Sequence, residues 1–149
     1  MAAVVPASSP NNPGTAIASA VDAETAKFRV IQEELQQLSR DLQVVFGQET
    51  ENEMVLQELD FVSEESPVYK MIGPVLVKQD PDEAQQTLRK RLEFIRGEKE
   101  KLQSKIKAKE EQGNKLSVKV QQMQAQLQAT TAQAVQAIAE QHKSGGGKY

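Results

Sequence analysis

Residues 68–79 read VYKMIGPVLVKQ, a run whose β-branched and aromatic content stands apart from the Gln-, Glu-, Lys- and Leu-rich chain around it. Divided by Gly73-Pro74, it predicts a β-hairpin. Gly73 can adopt the positive φ wanted at the first centre of a type II′ turn, and the fixed φ of Pro74, about −65°, suits the second. A two-residue loop then sets Ile72 opposite Val75, Met71 opposite Leu76, Lys70 opposite Val77 and Tyr69 opposite Lys78. Because side chains alternate along a strand, Tyr69, Met71 and Leu76 share one face while Val68, Ile72, Val75 and Val77 share the other. Both faces are apolar, yet a lone hairpin is marginal in water and leaves two bare edges. The sequence therefore predicts an assembly element, completed by strands from other chains.

Outward from this run lie two heptad stripes. The first passes through Phe28, Ile31, Leu35, Leu38, Leu42, Val45, Glu49, Asn52, Leu56 and Leu59, with eight of ten positions apolar. The second passes through Leu88, Leu92, Ile95, Lys99, Leu102, Ile106, Lys109, Gly113, Leu116, Val120, Met123 and Leu127, with nine of twelve apolar. Steps of three and four are the signature of helices that pair along a seam. Asp80 or Asp82 can cap the second helix, Pro81 suits its first turn, and Asp82 and Glu83 oppose the positive end of its dipole. Pro6, Pro10, Pro13 and Gly14 mark residues 1–19 as a disordered tail, and Gly145, Gly146 and Gly147 mark residues 143–149 as a flexible one. Residues 20–142 form the folded part: helix 20–62, linker and hairpin 63–80, helix 81–142. The fold class predicted is mainly α, a long antiparallel two-helix coiled coil with one β-hairpin at the helix connection.

Charge supports the pairing. Residues 20–62 hold three Lys/Arg against ten Asp/Glu, whereas residues 82–128 hold eleven against seven. In an antiparallel pair the steps of three must coincide, which restricts the register. Facing residue numbers that add to 151 match Phe28 with Met123, Leu35 with Leu116, Val45 with Ile106 and Leu56 with Ile95. They also bring Glu49, Asn52 and Lys99 together as a polar layer that fixes register at some cost in stability. The register one heptad shorter sets Leu35 against Lys109 and Val45 against Lys99, stranding more charge against apolar groups, so 151 is the register expected.

Other function classes find little support. Only 38% of the 149 residues are hydrophobic and 4% aromatic, which suits long helices and not a thick core. The net charge of −3 gives no basic field, and the cluster Arg89, Lys90, Arg91 and Arg96 lacks an aromatic stacking platform, so no nucleic-acid partner is expected. No apolar stretch approaches the roughly 18 to 20 residues of a membrane span, and with no Lys or Arg before Lys27 the N-terminal residues do not read as a secretory or transit segment. The chain has no Cys, and His142 stands alone in a polar tail, so neither a metal site nor a triad is expected. The run Gly145-Gly-Gly-Lys148 has no helix after it to complete a phosphate loop. The expectation is a non-enzyme without a cofactor.

Glu51-Asn52 with Val55 and Glu58-Leu59, the hairpin Tyr69–Gln79, and Lys90-Arg-Leu-Glu-Phe-Ile95 together resemble the β-class prefoldin subunits, over roughly residues 24 to 128. Glu49 departs from that pattern, standing where the family usually has an apolar residue. The resemblance implies a cytoplasmic hetero-hexamer of α- and β-class subunits whose hairpins join into a double β-barrel, with coiled coils hanging from it. It further implies that the coiled-coil tips hold unfolded actin or tubulin without ATP, for transfer to a group II chaperonin. Seam residues that lose burial where the helices fray, Val21, Phe28, Met123 and Leu127, are the candidate client contacts. A structural coiled-coil scaffold is the alternative. It needs only the heptads and gains nothing from an apolar strand pair that must be covered.

Overall fold

The computed structural model describes residues 12–62 and 65–146. Helix α1 spans Pro13–Phe61, strands β1 and β2 span Val68–Ile72 and Val75–Gln79, and helix α2 spans Pro81–Gly145. The chain packs as two units, one made of residues 35–108 and the other of the chain up to Glu34 with the chain from Lys109 onward.

In the first unit, β1 and β2 pair antiparallel with Val68 opposite Gln79, Tyr69 opposite Lys78 and Ile72 opposite Val75. Gly73 has a φ of 58°, which only glycine adopts readily, so the expected turn chemistry is in place. Asp80 starts α2: its side chain accepts from the Asp82 N–H at 3.4 Å and its carbonyl from the Ala84 N–H at 3.0 Å. Ala84, Leu88, Leu92 and Ile95 form the buried face of α2 here, with Leu92 only 2% exposed. Gln85 Nε2 donates to the Leu59 carbonyl at 3.4 Å and to Asp60 Oδ1 at 3.2 Å, placing the end of α1 beside the start of α2.

In the second unit, Val21 and Ile31 of α1 and Gly113 of α2 are buried. A Cβ on Gly113 would lie 3.5 Å from Ile31 Cγ2 and 3.8 Å from Phe28 Cε2, so this glycine sits directly beneath two apolar side chains. Lys119 Nζ reaches Glu24 Oε1 at 3.0 Å, and Lys109 pairs with Glu34.

The structure corrects three expectations. Leu59 faces Gln85 and Ile31 faces Gly113, pairs whose numbers add to 144, so each unit holds the register one heptad shorter than 151. That register is stable because long lysine stems can lie along an apolar seam while their ammonium groups reach flanking carboxylates. Lys109 does this with Glu34 and Lys99 with Glu49, so neither is stranded. The second correction concerns residues 13–19, expected within the tail and found helical. Asn12 Oδ1 accepts from the Gly14 N–H at 3.1 Å, and the Asn12 carbonyl accepts from the Thr15 and Ala16 N–H groups. Asn at the cap followed by Pro in the first turn is a strong helix start. At the other end α2 continues to Gly145, three residues past the expected 142. The remaining tail residues, 1–11 and 147–149, lie outside the described residues, as do residues 63–64 of the linker.

Cysteine cross-linking reads the register directly. The double variant Ile31→Cys/Gly113→Cys is expected to close an intramolecular disulfide on oxidation, whereas Leu38→Cys/Gly113→Cys, the pair that the 151 register would join, is expected to stay reduced. Mass spectrometry under non-reducing conditions distinguishes them.

Candidate assembly and client-binding sites

The hairpin's side chains stand in solvent on both faces. On one, Met71 is 73% and Leu76 60% exposed, with Tyr69 beside them; on the other, Ile72 is 56% exposed, with Val75 and Val77 beside it. Val68, at the base, is half-buried. Among the described residues the sheet consists of β1 and β2 alone, so each strand has one unpaired edge there. Gly73 and Pro74 close it at the tip. Six large apolar side chains on a two-stranded ribbon form a surface of the kind that marks protein interfaces.

Of the polar layer expected from Glu49, Asn52 and Lys99, two members meet. Lys99 Nζ lies 2.7 Å from Glu49 Oε2 and 5.2 Å from the centre of the Phe46 ring. Asn52 does not join them; its Nδ2 donates to the Gln48 carbonyl one turn back in its own helix, at 2.6 Å. Its place is taken by Arg96, which reaches Glu49 Oε1 at 3.1 Å and Glu53 Oε1 at 2.6 Å. The register explains the exchange, since at 144 Asn52 lies opposite Leu92. The hydrogen bond from Lys99 holds the Glu49 carboxyl below its ordinary value of 4.5; burial opposes this, and Arg96 adds to it.

A second buried carboxylate went unforeseen. Glu24 continues the first stripe back from Phe28 by the same steps, and its Oε1 accepts from Lys119 at 3.0 Å and Lys27 at 3.1 Å. Lys119 above all, then Lys27, lower its pKa against the effect of burial, while Oε2 is buried without a hydrogen-bond partner.

The candidate client contacts are less open than expected. Val21 belongs to the buried core, and Phe28, Met123 and Leu127 are half-buried. The 144 register sets Val21 against Met123, and the earlier start of α1 adds Ile17 against Leu127. At that register Pro13 lies level with Thr131, and α2 runs on to Gly145. Every residue from Thr131 to Gly146 is exposed, among them Val135 at 62% and Ile138 at 58%. The weak apolar spacing of this segment gave little warning of it; only a helix start at Asn12-Pro13, set against the length of α2, reveals the overhang.

Among the described residues no group of three His, Asp or Glu is placed to hold a metal, and no helix is long and apolar enough to cross a membrane.

Glu49 gives a pH test with a defined sign. Because its folded pKa is lowered, the stability it contributes is present above about 4.5 and is lost as pH falls through the folded value. Glu49→Gln is expected to melt below the wild type at neutral pH, with the gap closing as acid protonates Glu49 in the wild type. Thermal melts followed by circular dichroism at neutral and acid pH measure this.

The prefoldin subunit family model, Prefoldin_2, matches residues 22–143. The chain is similar to prefoldin subunit 6 of Arabidopsis thaliana, 45% identical over 82 residues that cover 55% of this chain and 64% of that one. It is also similar to a probable prefoldin subunit 6 of Caenorhabditis briggsae, 37% identical over 125 residues, covering 79% of this chain and 98% of the relative. Among solved structures it is similar to the prefoldin beta subunit from Thermococcus strain KS-1, 28% identical, covering 73% of this chain and 90% of that one at a TM-score of 0.48. With the family match spanning both helices and the hairpin between them, the chain belongs to the prefoldin subunit family.

Proposed function

We propose that this chain is one subunit of a hetero-hexameric prefoldin co-chaperone of the cytoplasm, joined through its hairpin to other α- and β-class subunits. The complex holds unfolded proteins of the actin and tubulin class without ATP and delivers them to the group II chaperonin. The observation that carries the assembly reading is the hairpin, apolar and exposed on both faces with an unpaired edge on each strand. A strand ribbon of this kind gains stability only when other strands and side chains cover it. A structural scaffold built from the same heptads would leave that requirement unmet.

Client contact is assigned to the end of α2, where Val135 and Ile138 are exposed, with Leu127 and Met123 leading into it and Phe28 further back beside Gly113. An unfolded chain offers apolar groups without fixed geometry, and an unpartnered helix face can accept them in many arrangements. Met123, unbranched and polarizable, suits such variety. Contacts weak at each helix end become strong in sum when several ends are linked in one assembly.

Ile72→Asp or Val75→Asp is expected to leave helicity largely intact and to abolish the hexamer, read by native mass measurement after mixing with the remaining subunits. A variant that assembles with the normal mass overturns the assembly reading. Val135→Asp/Ile138→Asp is expected to assemble normally and to lose several-fold in suppression of actin aggregation; equal protection overturns the client assignment.

A further inference from the structure

The basic cluster at the start of α2 divides in the fold. Arg96 is taken up by Glu49 and Glu53, but Arg91 turns elsewhere. It lines a cleft of about 240 Å³ between the base of the hairpin and the two helices, floored by Val55, Leu59, Tyr69 and Leu88 and bordered by Lys70. No Asp or Glu lines this cleft. Among the described residues neither Lys70 nor Arg91 makes an ion pair. Both are exposed, and β1, which supplies Tyr69 and Lys70, pairs only with β2.

We infer that this cleft is the charge-selective part of the assembly surface, and that it receives a strand of a different subunit carrying an apolar side chain flanked by carboxylates. The inference rests on the assembly reading above and adds the chemistry of the partner. An extended segment that adds to the open edge of β1 places alternate side chains over the cleft. An apolar side chain fills the cleft, and a neighbouring Asp or Glu meets Arg91 and Lys70, which pair with no carboxylate among the described residues. Arg is suited to this because its planar fork binds a carboxylate in two places and is weakly hydrated. A second copy of this chain does not fit. Residues 68–79 carry Lys70 and Lys78 and no acid, so a self-pairing would bring ammonium groups against Arg91. Like charges so placed select against the wrong partner.

The test uses the full-length chain titrated with a purified α-class subunit whose hairpin contains Asp or Glu, at low and high salt. Arg91→Glu is expected to weaken binding roughly tenfold at low salt, with the difference shrinking at high salt. Lys70→Glu should act in the same direction, Arg91→Lys, which keeps the charge and loses the two-point fork, should weaken binding by less than Arg91→Glu, and Arg89→Glu, whose cation does not line the cleft, should change it little. An acid-to-Lys change in the partner's strand should restore binding to Arg91→Glu. Wild-type affinity in Arg91→Glu, equal weakening by Arg89→Glu, or dimerisation of the chain alone through this cleft each overturns the inference. If Ile72→Asp abolishes binding while Arg91→Glu leaves it unchanged, the cleft assignment falls and the assembly reading stands. A wild-type chain that binds no α-class subunit removes both.

Discussion

A two-stranded ribbon pairs each strand on one edge only, and here both of its faces are apolar as well. Met71 and Leu76 on one side and Ile72 and Val75 on the other cannot all be buried against one pair of helices. Every residue added to such a hairpin increases the apolar surface left in water unless another chain supplies the cover. The helices do not relieve this, because their buried side chains face each other: Leu92, Leu88 and Ile95 are spent within their own unit. The need for partners therefore lies in the backbone geometry of residues 68–79 and not in any single side chain.

The helix seam is set by a different balance. Apolar burial alone would favour the pairing that puts most Leu and Ile residues opposite one another. The register found instead puts Gly113 beneath Ile31 and Phe28 and lets Lys99 and Lys109 lie along the seam with their ammonium groups on Glu49 and Glu34. Buried carboxylates in such a seam need partners, and Glu24 and Glu49 each have two cations within hydrogen-bonding distance. Because their cations stand partly in solvent, such pairs add little stability one by one. Their larger effect is on alternatives, since sliding either helix by a heptad would part Glu24 from Lys119 and Glu49 from Arg96, cations held on the other helix. Polar groups that penalise the wrong pairing more than they stabilise the right one are a recurrent device of paired helices.

The hairpin was legible almost residue by residue, because a Gly-Pro centre, two flanking apolar runs and a two-residue loop admit one register, and Gly73 carries the positive φ that register needs. The two helices were equally plain from their three-four spacing. Helix register was not, because matching apolar with apolar ignores how far a lysine reaches; Lys109 opposite Leu35 looked unfavourable until its pairing with Glu34 was taken into account. The start of α1 was obscured by Pro13 and Gly14, which read as loop residues unless Asn12 is recognised as a cap. With seven more residues in α1 and the shorter register, Val21 is buried, and the exposed apolar side chains toward the end of α2 are Val135 and Ile138. The cleft that holds Arg91 joins residues from α1, β1 and α2, and nothing in their spacing along the chain announces it.

Amide hydrogen exchange tests most directly whether the hairpin is unsatisfied in the single chain. In the isolated protein, residues 68–79 are expected to exchange rapidly while the α2 segment around Leu92 is protected; on addition of the other prefoldin subunits the hairpin amides should become strongly protected, with little change around Leu92. Hairpin amides already as well protected in the isolated chain as in the assembly would contradict the account, because the ribbon would then be stable without a partner.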